Sequence, residues 1–163
     1  MLYFITFSTY GSHLPGDARG SFDHVRQGSR KFIPPNRGLE AYRRKLMTQE
    51  PFALSPEDRR VVREAMLGAC SFRGWQLLAL HVRSNHVHGV VDATAAASMV
   101  VNGWKAYSTR ALRRAGLVTD HRNVWGHGAS VHGITTREGL QSAIRYVLEG
   151  QGEAMEVYRG PEY

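Results

Sequence analysis

Two apolar segments joined by a short polar link constrain the fold of this chain more than any other feature. Residues 75–82 and 86–92 are both rich in apolar residues, whereas the intervening Arg83, Ser84 and Asn85 are polar. Apolar runs of this length with so short a connection are typical of a β-hairpin. The sequence therefore predicts two neighbouring antiparallel strands in the middle of the chain.

A strand and two helices are predicted before this hairpin. Residues 2–9 contain aromatic and β-branched residues in the alternating pattern of a buried strand. A short helix is predicted over residues 39–47. A longer helix begins after Ser55, whose hydroxyl can cap it, has Pro56 in its first turn and ends at Gly74.

The elements predicted after the hairpin complete a recognisable order. They are a helix over about residues 95–114, a strand over residues 130–134, and a last helix that Thr135 or Thr136 caps and that runs to about Glu149. The order β-α-β-β-α-β with a terminal helix is the ferredoxin-like arrangement. We therefore expect an α+β fold, in which helices cover one face of an antiparallel sheet.

Two segments show no regular pattern. Residues 11–38 are rich in glycine and proline, which predicts an unusually long loop, and long loops in small domains are often functional. The tail over residues 153–163 could be loosely held or could fold back, and the sequence leaves both open. The length of 163 residues and the 42% hydrophobic content predict a single domain over residues 1–163.

Composition bounds the partners and the compartment. A net charge of +7 attracts polyanions and makes nucleic acid the leading partner class. Cys70 is the only cysteine, which excludes an intramolecular disulfide and a four-thiolate zinc site. The N-terminus lacks a basic leader, and no stretch approaches the roughly 18 apolar residues of a membrane span. We therefore expect a soluble, cytoplasmic protein without membrane contact.

His86 and His88 are the sharpest chemical signal. They are alternate residues of a predicted strand, so both imidazoles point to the same face of the sheet. Two neutral imidazoles at this spacing can share one cation. The alternative is a pair of histidines that only hydrogen-bond to their neighbours. Val90 occupies the position that a histidine-triad hydrolase would need for a third histidine.

Tyr146 is the second signal. An apolar stripe runs along the last predicted helix at 100° per residue, and Tyr146 points about 130° away from the centre of that stripe. Its side chain is therefore not needed for the core on that side. The alternative is an ordinary exposed or half-buried aromatic residue.

The two signals together resemble the HUH single-strand endonucleases and, more narrowly, the one-tyrosine transposases of the REP-associated and IS200-like group. The resemblance extends over most of the chain. Besides the two histidines and the tyrosine, it rests on residues 5–11, residues 14–20, Lys105, Trp125, Gly126 and residues 147–152.

This resemblance implies a metal-dependent activity on single-stranded DNA, and hairpin-containing DNA as the substrate. In that family two histidines and a further polar residue hold Mg²⁺ or Mn²⁺, while the tyrosine attacks the scissile phosphate. Tyr146 would then be the nucleophile, His86 and His88 would be metal ligands, and the product would be a 5′-phosphotyrosine with a free 3′-hydroxyl. A free tyrosine, with a pKa of about 10, needs such assistance.

The third metal ligand departs from the family pattern. It usually lies four residues after the tyrosine, and Gly150 occupies that position here. Glu149 lies about 60° from Tyr146 on a regular helix and offers a hard oxygen. Gln151 could ligate if the chain leaves the helix at Gly150. The sequence leaves both candidates open and slightly favours Gln151, because a glycine flanks it on each side.

Other expectations are less specific. Lys105 and Arg19 are candidate DNA contacts, and the protein could act as a monomer or a homodimer.

Two rival functions remain open. One is a non-catalytic nucleic-acid-binding module on the same fold, and the other is a metal-dependent phosphoesterase that uses water. Of the three hypotheses, only the transposase predicts DNA that is covalently linked to the protein.

Overall fold

The elements of the fold alternate between strands and helices along the chain. The computed structural model describes residues 1–24 and 30–161 of the chain. Within those residues the elements, in chain order, are β1 (Leu2–Ser8), β2 (Ser21–His24), β3 (Arg30–Ile33), α1 (Arg37–Lys45), α2 (Pro56–Arg73), β4 (Gln76–Val82), β5 (His86–Asp92), α3 (Ala97–Arg114), β6 (Ser130–Ile134), α4 (Arg137–Glu149) and β7 (Glu156–Arg159).

Five strands form one antiparallel sheet in the order β6-β1-β5-β4-β7. The predicted hairpin is β4 and β5, and β1 lies in the sheet between β5 and β6. The order of the first four strands is that of a ferredoxin-like β-α-β-β-α-β sheet, which confirms the predicted α+β fold. This order puts β5 near the centre, so side chains on β5 have neighbours on both sides.

Helices α2 and α3 cover one face of the sheet. Val62 and Met66 of α2 and Trp104 of α3 are fully buried against that face, together with Ile5 and Phe7 of β1. The other face is covered by α4, whose Leu140 and Val147 pack with Leu78 and Val90. The predicted layer of helices on one face is therefore α2 and α3, and the predicted terminal helix closes the opposite face. None of the described helices combines the length and apolar character needed to cross a membrane.

Local signals set the helix ends. The Ser55 hydroxyl accepts a hydrogen bond from the Asp58 amide at 3.1 Å, and the Asp58 carboxylate accepts one from the Ser55 amide at 2.8 Å. Gly74 ends α2 in the left-handed conformation, with φ 67°. The start and end predicted for α2 are thus confirmed. The short helix predicted over residues 39–47 is α1, which begins two residues earlier at Arg37.

The prediction of an unbroken loop over residues 11–38 is wrong. Strands β2 and β3 pair within it as a separate two-stranded sheet, in which Ser21 lies opposite Ile33. Strands of four residues, carrying charged as well as apolar side chains, give no alternating signal long enough to detect. The part of the predicted loop over residues 25–29 lies outside the described residues.

The tail folds back onto the sheet as β7, which pairs with β4. His81 of β4 is fully buried beneath this connection. Its Nε2 accepts a hydrogen bond from the Met155 amide at 3.1 Å, so its Nδ1 carries the proton and donates to the Val147 carbonyl at 3.1 Å. Burial lowers the pKa of His81, which favours the neutral ring that these two hydrogen bonds require. His81 therefore ties both α4 and the tail to the sheet.

Candidate active site

His86 and His88 lie side by side on the sheet face that α4 partly covers. Both belong to β5, and their ring centroids are 4.6 Å apart with the planes nearly perpendicular, at 85°. This arrangement follows from their alternate positions on a strand. The predicted common face for the two imidazoles is therefore present.

The Nδ1 atom of each ring forms a hydrogen bond with one oxygen atom. The Oδ1 atom of Asn85 lies 2.5 Å from Nδ1 of His86, and because an amide oxygen can only accept, His86 donates from Nδ1. The Thr6 hydroxyl lies 2.8 Å from Nδ1 of His88. When Thr6 accepts this hydrogen bond, His88 also carries its proton on Nδ1. Both Nε2 atoms then have lone pairs available for a metal ion.

The Nε2 atom of His88 is buried and has no hydrogen-bond partner among the described residues. A buried polar atom without a partner is rare and calls for an explanation such as an ion. Burial lowers the pKa of His88 to about 3, with a further contribution from neighbouring His86. Burial and the nearby Arg83 lower the pKa of His86 to about 4. Both rings are thus neutral at pH 7, which is the protonation state that binds a metal.

Tyr146 lies on α4 above His88. Its ring meets the rings of His88 and Phe4 edge-on, with centroid distances of 5.8 Å to each. The side chain is 47% exposed, so a substrate can reach it. This position agrees with the helical phase, which directs Tyr146 away from the apolar stripe of α4. The structure therefore brings Tyr146 and the two histidines together.

Gln151 also belongs to this group. Helix α4 ends at Glu149, Gly150 follows as its cap, and Gly152 adopts a left-handed φ of 74°, so Gln151 lies in a turn outside the helix. The Gln151 side chain approaches both His86 and His88 and opposes the lowering of their pKa values. It makes no hydrogen bond of good geometry with Nε2 of His88, which leaves that atom without a partner.

The structure places Glu149 elsewhere. Its carboxylate lies 3.7 Å from the guanidinium of Arg159 on β7, and both side chains are largely exposed. Across the described part of the chain, no three His, Cys, Asp or Glu side chains come together as a possible metal site. The structure therefore does not bring Glu149 to the histidines, although its helical phase relative to Tyr146 had made it a candidate.

The two predicted DNA contacts make internal hydrogen bonds. Lys105 is partly buried, and its Nζ donates to the carbonyls of Gly126 at 2.9 Å and Gly128 at 2.6 Å. Burial lowers the pKa of Lys105 to about 8. Arg19 binds Asp17 through two hydrogen bonds of 2.8 Å. Arg19 lies near enough to His86 to affect its pKa, whereas Lys105 mainly supports the loop over residues 126–128.

Three residues of the site were given no chemical role in the sequence-based prediction. Asn85 and Thr6 orient the histidines, and Arg83 places a positive charge near both of them. Asn85 adjoins His86 in sequence, so it could have been found. Thr6 could not, because its role depends on the pairing register that puts it opposite His88.

Residues 40–148 match the model of a protein family described as Transposase IS200 like. No curated protein sequence matches the chain significantly. A solved structure of a REP-associated tyrosine transposase bound to a REP hairpin has a TM-score of 0.50 and 13% identity, and the match covers 91% of this chain and 65% of that chain. A candidate transposase from Deinococcus radiodurans R1 has a TM-score of 0.52 and 17% identity, over 94% of this chain and 92% of that chain. These two similarities show the fold, and the chain spans less than two thirds of the first structure.

Proposed function

Because the chain belongs to the IS200-like transposase family, we propose that it is a metal-dependent transposase that cleaves and rejoins single-stranded DNA through Tyr146. The observation that carries this proposal is one group of side chains. The half-exposed Tyr146 ring lies 5.8 Å from the ring of His88, and the buried Nε2 of His88 has no partner among the described residues. A tyrosine that a substrate can reach, with its ring close to an available metal ligand, is what this chemistry requires.

His86, His88 and Gln151 would hold Mg²⁺ or Mn²⁺. The hydrogen bonds to Nδ1 of each histidine support this assignment, because such contacts orient metal-binding imidazoles. The amide oxygen of Gln151 is a hard ligand that suits these ions. When bound, the cation would neutralise the charge that develops on the phosphoryl oxygens.

Tyr146 performs the covalent step. Its hydroxyl oxygen attacks the phosphorus atom and loses its proton to solvent, which the exposure of the ring allows. The bond from phosphorus to the 3′ oxygen breaks, and this oxygen takes up a proton to become a free 3′-hydroxyl. The 5′ phosphate remains on the tyrosine. Attack by the 3′-hydroxyl of a second strand reverses the step and rejoins the DNA without another energy source.

The proposed substrate is single-stranded DNA that carries a hairpin. The solved REP-associated transposase is bound to a REP hairpin, and its fold is similar to that of this chain. The net charge of +7 favours binding to any nucleic acid. The need for the phosphate to reach the histidine pair beneath Tyr146 favours a single strand over a duplex.

A covalent adduct tests this function and separates it from its rivals. Labelled single-stranded DNA with a hairpin and randomised flanks is incubated with the protein and Mn²⁺, and denaturing electrophoresis then detects protein-linked label. The expected adduct disappears with a chelator and in Tyr146→Phe. The matched control is Tyr42→Phe, because Tyr42 is 58% exposed on α1 and lies outside the site.

The possible outcomes distinguish the three functions. Cleavage without protein-linked DNA would support a phosphoesterase that uses water. Binding without cleavage would support a non-catalytic module. An adduct that persists in Tyr146→Phe at the wild-type yield would exclude Tyr146 as the nucleophile.

A further inference from the structure

Lys105 is a partly buried cation that has no acidic partner among the described residues. Buried lysines are usually paired with a carboxylate, so this one is unusual. Because burial lowers its pKa to about 8, about half of the Lys105 amines are neutral at pH 8, whereas less than about 1% of ordinary lysines are. Lys105 therefore offers a nucleophilic amine at a pH where an ordinary lysine remains protonated.

The hydrogen bonds of Lys105 hold this amine in a defined position. Nζ donates to the carbonyls of Gly126 at 2.9 Å and Gly128 at 2.6 Å, and the second of these hydrogen bonds lies at the surface. A lysine ammonium carries three N–H donors, of which these carbonyls use two. Loss of the third proton keeps both hydrogen bonds and leaves a lone pair that points away from the two carbonyls.

An open groove of about 350 Å³ along α3 gives access to the Lys105 side chain. The groove is lined by residues of this one helix, namely Asn102, Lys105, Ala106, Thr109, Arg110 and Arg113. Arg110 and Arg113 are exposed, and neither forms an ion pair within the part of the chain that the structure describes. The groove thus combines two available guanidinium groups with a nucleophilic amine.

We propose that Lys105 is an acylation site for small acyl phosphates that bind in this groove. Arg110 and Arg113 hold the phosphate group, because guanidinium groups bind phosphate through several N–H donors. Nζ attacks the carbonyl carbon of the acyl group, the bond from this carbon to the phosphate oxygen breaks, and inorganic phosphate leaves with the electron pair. The nitrogen loses one proton to solvent and becomes an amide. The proposal is independent of the proposed action on DNA, since it does not involve Tyr146 or the histidine pair.

Acylation changes the support of the loop over residues 126–128. The amide nitrogen keeps one N–H and carries no charge, so at most one of the two hydrogen bonds to the loop can persist. Gly126 also donates from its amide to the Ser8 carbonyl at 2.9 Å, and Ser8 lies opposite His86 in the sheet. The modification is therefore expected to loosen a loop that contacts the end of β1.

The reaction of the three lysines with acetyl phosphate tests the proposal within one protein. Lys31 and Lys45 are the other two lysines of the chain, and both are exposed. The full chain is incubated with acetyl phosphate at pH 8, and peptide mass spectrometry follows the acetylation of each lysine with time. Lys105 should react at least about tenfold faster than the other two, because more of its amine is neutral. A rate equal to or lower than that of the exposed lysines would overturn the proposal.

Two double variants test the binding of the donor. Arg110→Gln/Arg113→Gln should slow the acetylation of Lys105 at least about fivefold, because it removes charged hydrogen-bond donors to the phosphate. The matched control is Arg137→Gln/Arg145→Gln, which removes the same charge from exposed positions on α4, on the opposite face of the sheet. The control should leave the rate unchanged. A wild-type rate in the groove variant, or an equal loss in both variants, would exclude the groove as the donor site.

Hydrogen–deuterium exchange measures the effect on the loop. In Lys31→Arg/Lys45→Arg, Lys105 is the only lysine left, and the two changes keep the charge at exposed positions. After acetylation of this variant, peptides over residues 124–130 should exchange faster than in the untreated variant, while peptides of α4 should not. Unchanged exchange over residues 124–130 would refute the effect of acylation on the loop.

Discussion

The hydroxyl oxygen of Thr6 lies 2.8 Å from Nδ1 of His88, across the ladder between β1 and β5. Because Nε2 of the same ring has no partner among the described residues, this hydrogen bond orients the imidazole together with ring contacts to Phe4, His86 and Tyr146. Thr6 therefore determines the direction in which His88 presents its available nitrogen, although Thr6 would not itself touch a metal ion.

Replacing Thr6 tests its orienting role. Thr6→Val keeps the shape of the side chain but removes the oxygen, so Mn²⁺ affinity should fall on the order of ten- to a hundredfold. Thr6→Ser restores the hydroxyl and should recover most of the affinity. Isothermal titration calorimetry measures both variants. An unchanged affinity in Thr6→Val would show that His88 does not depend on this hydrogen bond.

The third metal ligand can be tested with two variants. Gln151 approaches both histidines, whereas Glu149 pairs with Arg159, so Gln151→Ala should lower Mn²⁺ affinity on the order of ten- to a hundredfold and Glu149→Ala should have little effect. Parallel Mn²⁺ titrations give the comparison. The reverse pattern would assign the ligand to Glu149, and wild-type affinity in both variants would leave water as the remaining ligand.

Gly150 lies directly against Tyr146, the proposed nucleophile. A β-carbon at this position would lie 2.9 Å from the Tyr146 carbonyl oxygen and 3.0 Å from Cδ2 of its ring, so Gly150→Ala should displace the ring and reduce the rate of adduct formation. Gly133→Ala is the matched control, because a β-carbon there meets nothing within 4 Å. Single-turnover assays of the two variants compare the rates. Equal rates would mean that the site tolerates a shift of Tyr146.

Histidine burial makes folding stability depend on pH. The ordinary pKa of 6.5 applies to the unfolded chain, whereas folding lowers the pKa of His86 to about 4 and that of His88 to about 3. Between about pH 6.5 and 4 the unfolded chain therefore binds more protons, and the free energy of unfolding decreases as the pH falls. His88→Gln removes one such proton and should reduce this slope by up to about 1.4 kcal/mol per pH unit. Urea unfolding without metal at pH 7, 6 and 5 measures it, and an unchanged slope would contradict the burial argument.

Lys105 is expected to stabilise the fold. Lys105→Met removes the hydrogen bonds to Gly126 and Gly128, so the urea midpoint should decrease. The dependence of DNA affinity on salt should stay the same, because the ammonium is already used within the protein. If Lys105 contacts a phosphate instead, the slope of log affinity against log salt should become shallower by about one.

The predictable part of the fold is the part with strong local signals. Ser55 and Gly74 marked both ends of α2, an alternating pattern predicted β1, and two apolar runs with a short polar link predicted β4 and β5. Strand β7 was not predicted because its four residues pair with β4 only through tertiary structure. The hairpin of β2 and β3 was missed for a similar reason, since its strands are also four residues long.

In the candidate site, too, local sequence patterns predict some features, whereas others depend on tertiary structure. The side-by-side placement of His86 and His88 follows from strand periodicity, and the exposure of Tyr146 follows from helical phase. The choice between Glu149 and Gln151 depended on where α4 ends, and sequence signals locate a helix end only to within about two to four residues. The contact of Thr6 with His88 depended on strand register, which no local pattern specified.

The two hydrogen bonds of His81 order part of the candidate site while the protein folds. Val147, whose carbonyl accepts one of them, adjoins Tyr146 in sequence, and Met155, whose amide donates the other, lies shortly beyond Gln151. The segment that carries Tyr146 and Gln151, the proposed nucleophile and third ligand, is thus anchored at Val147 and at Met155 by one buried ring. The entropy lost in aligning these groups is lost during folding, before any DNA arrives, so the centre meets its substrate preorganised.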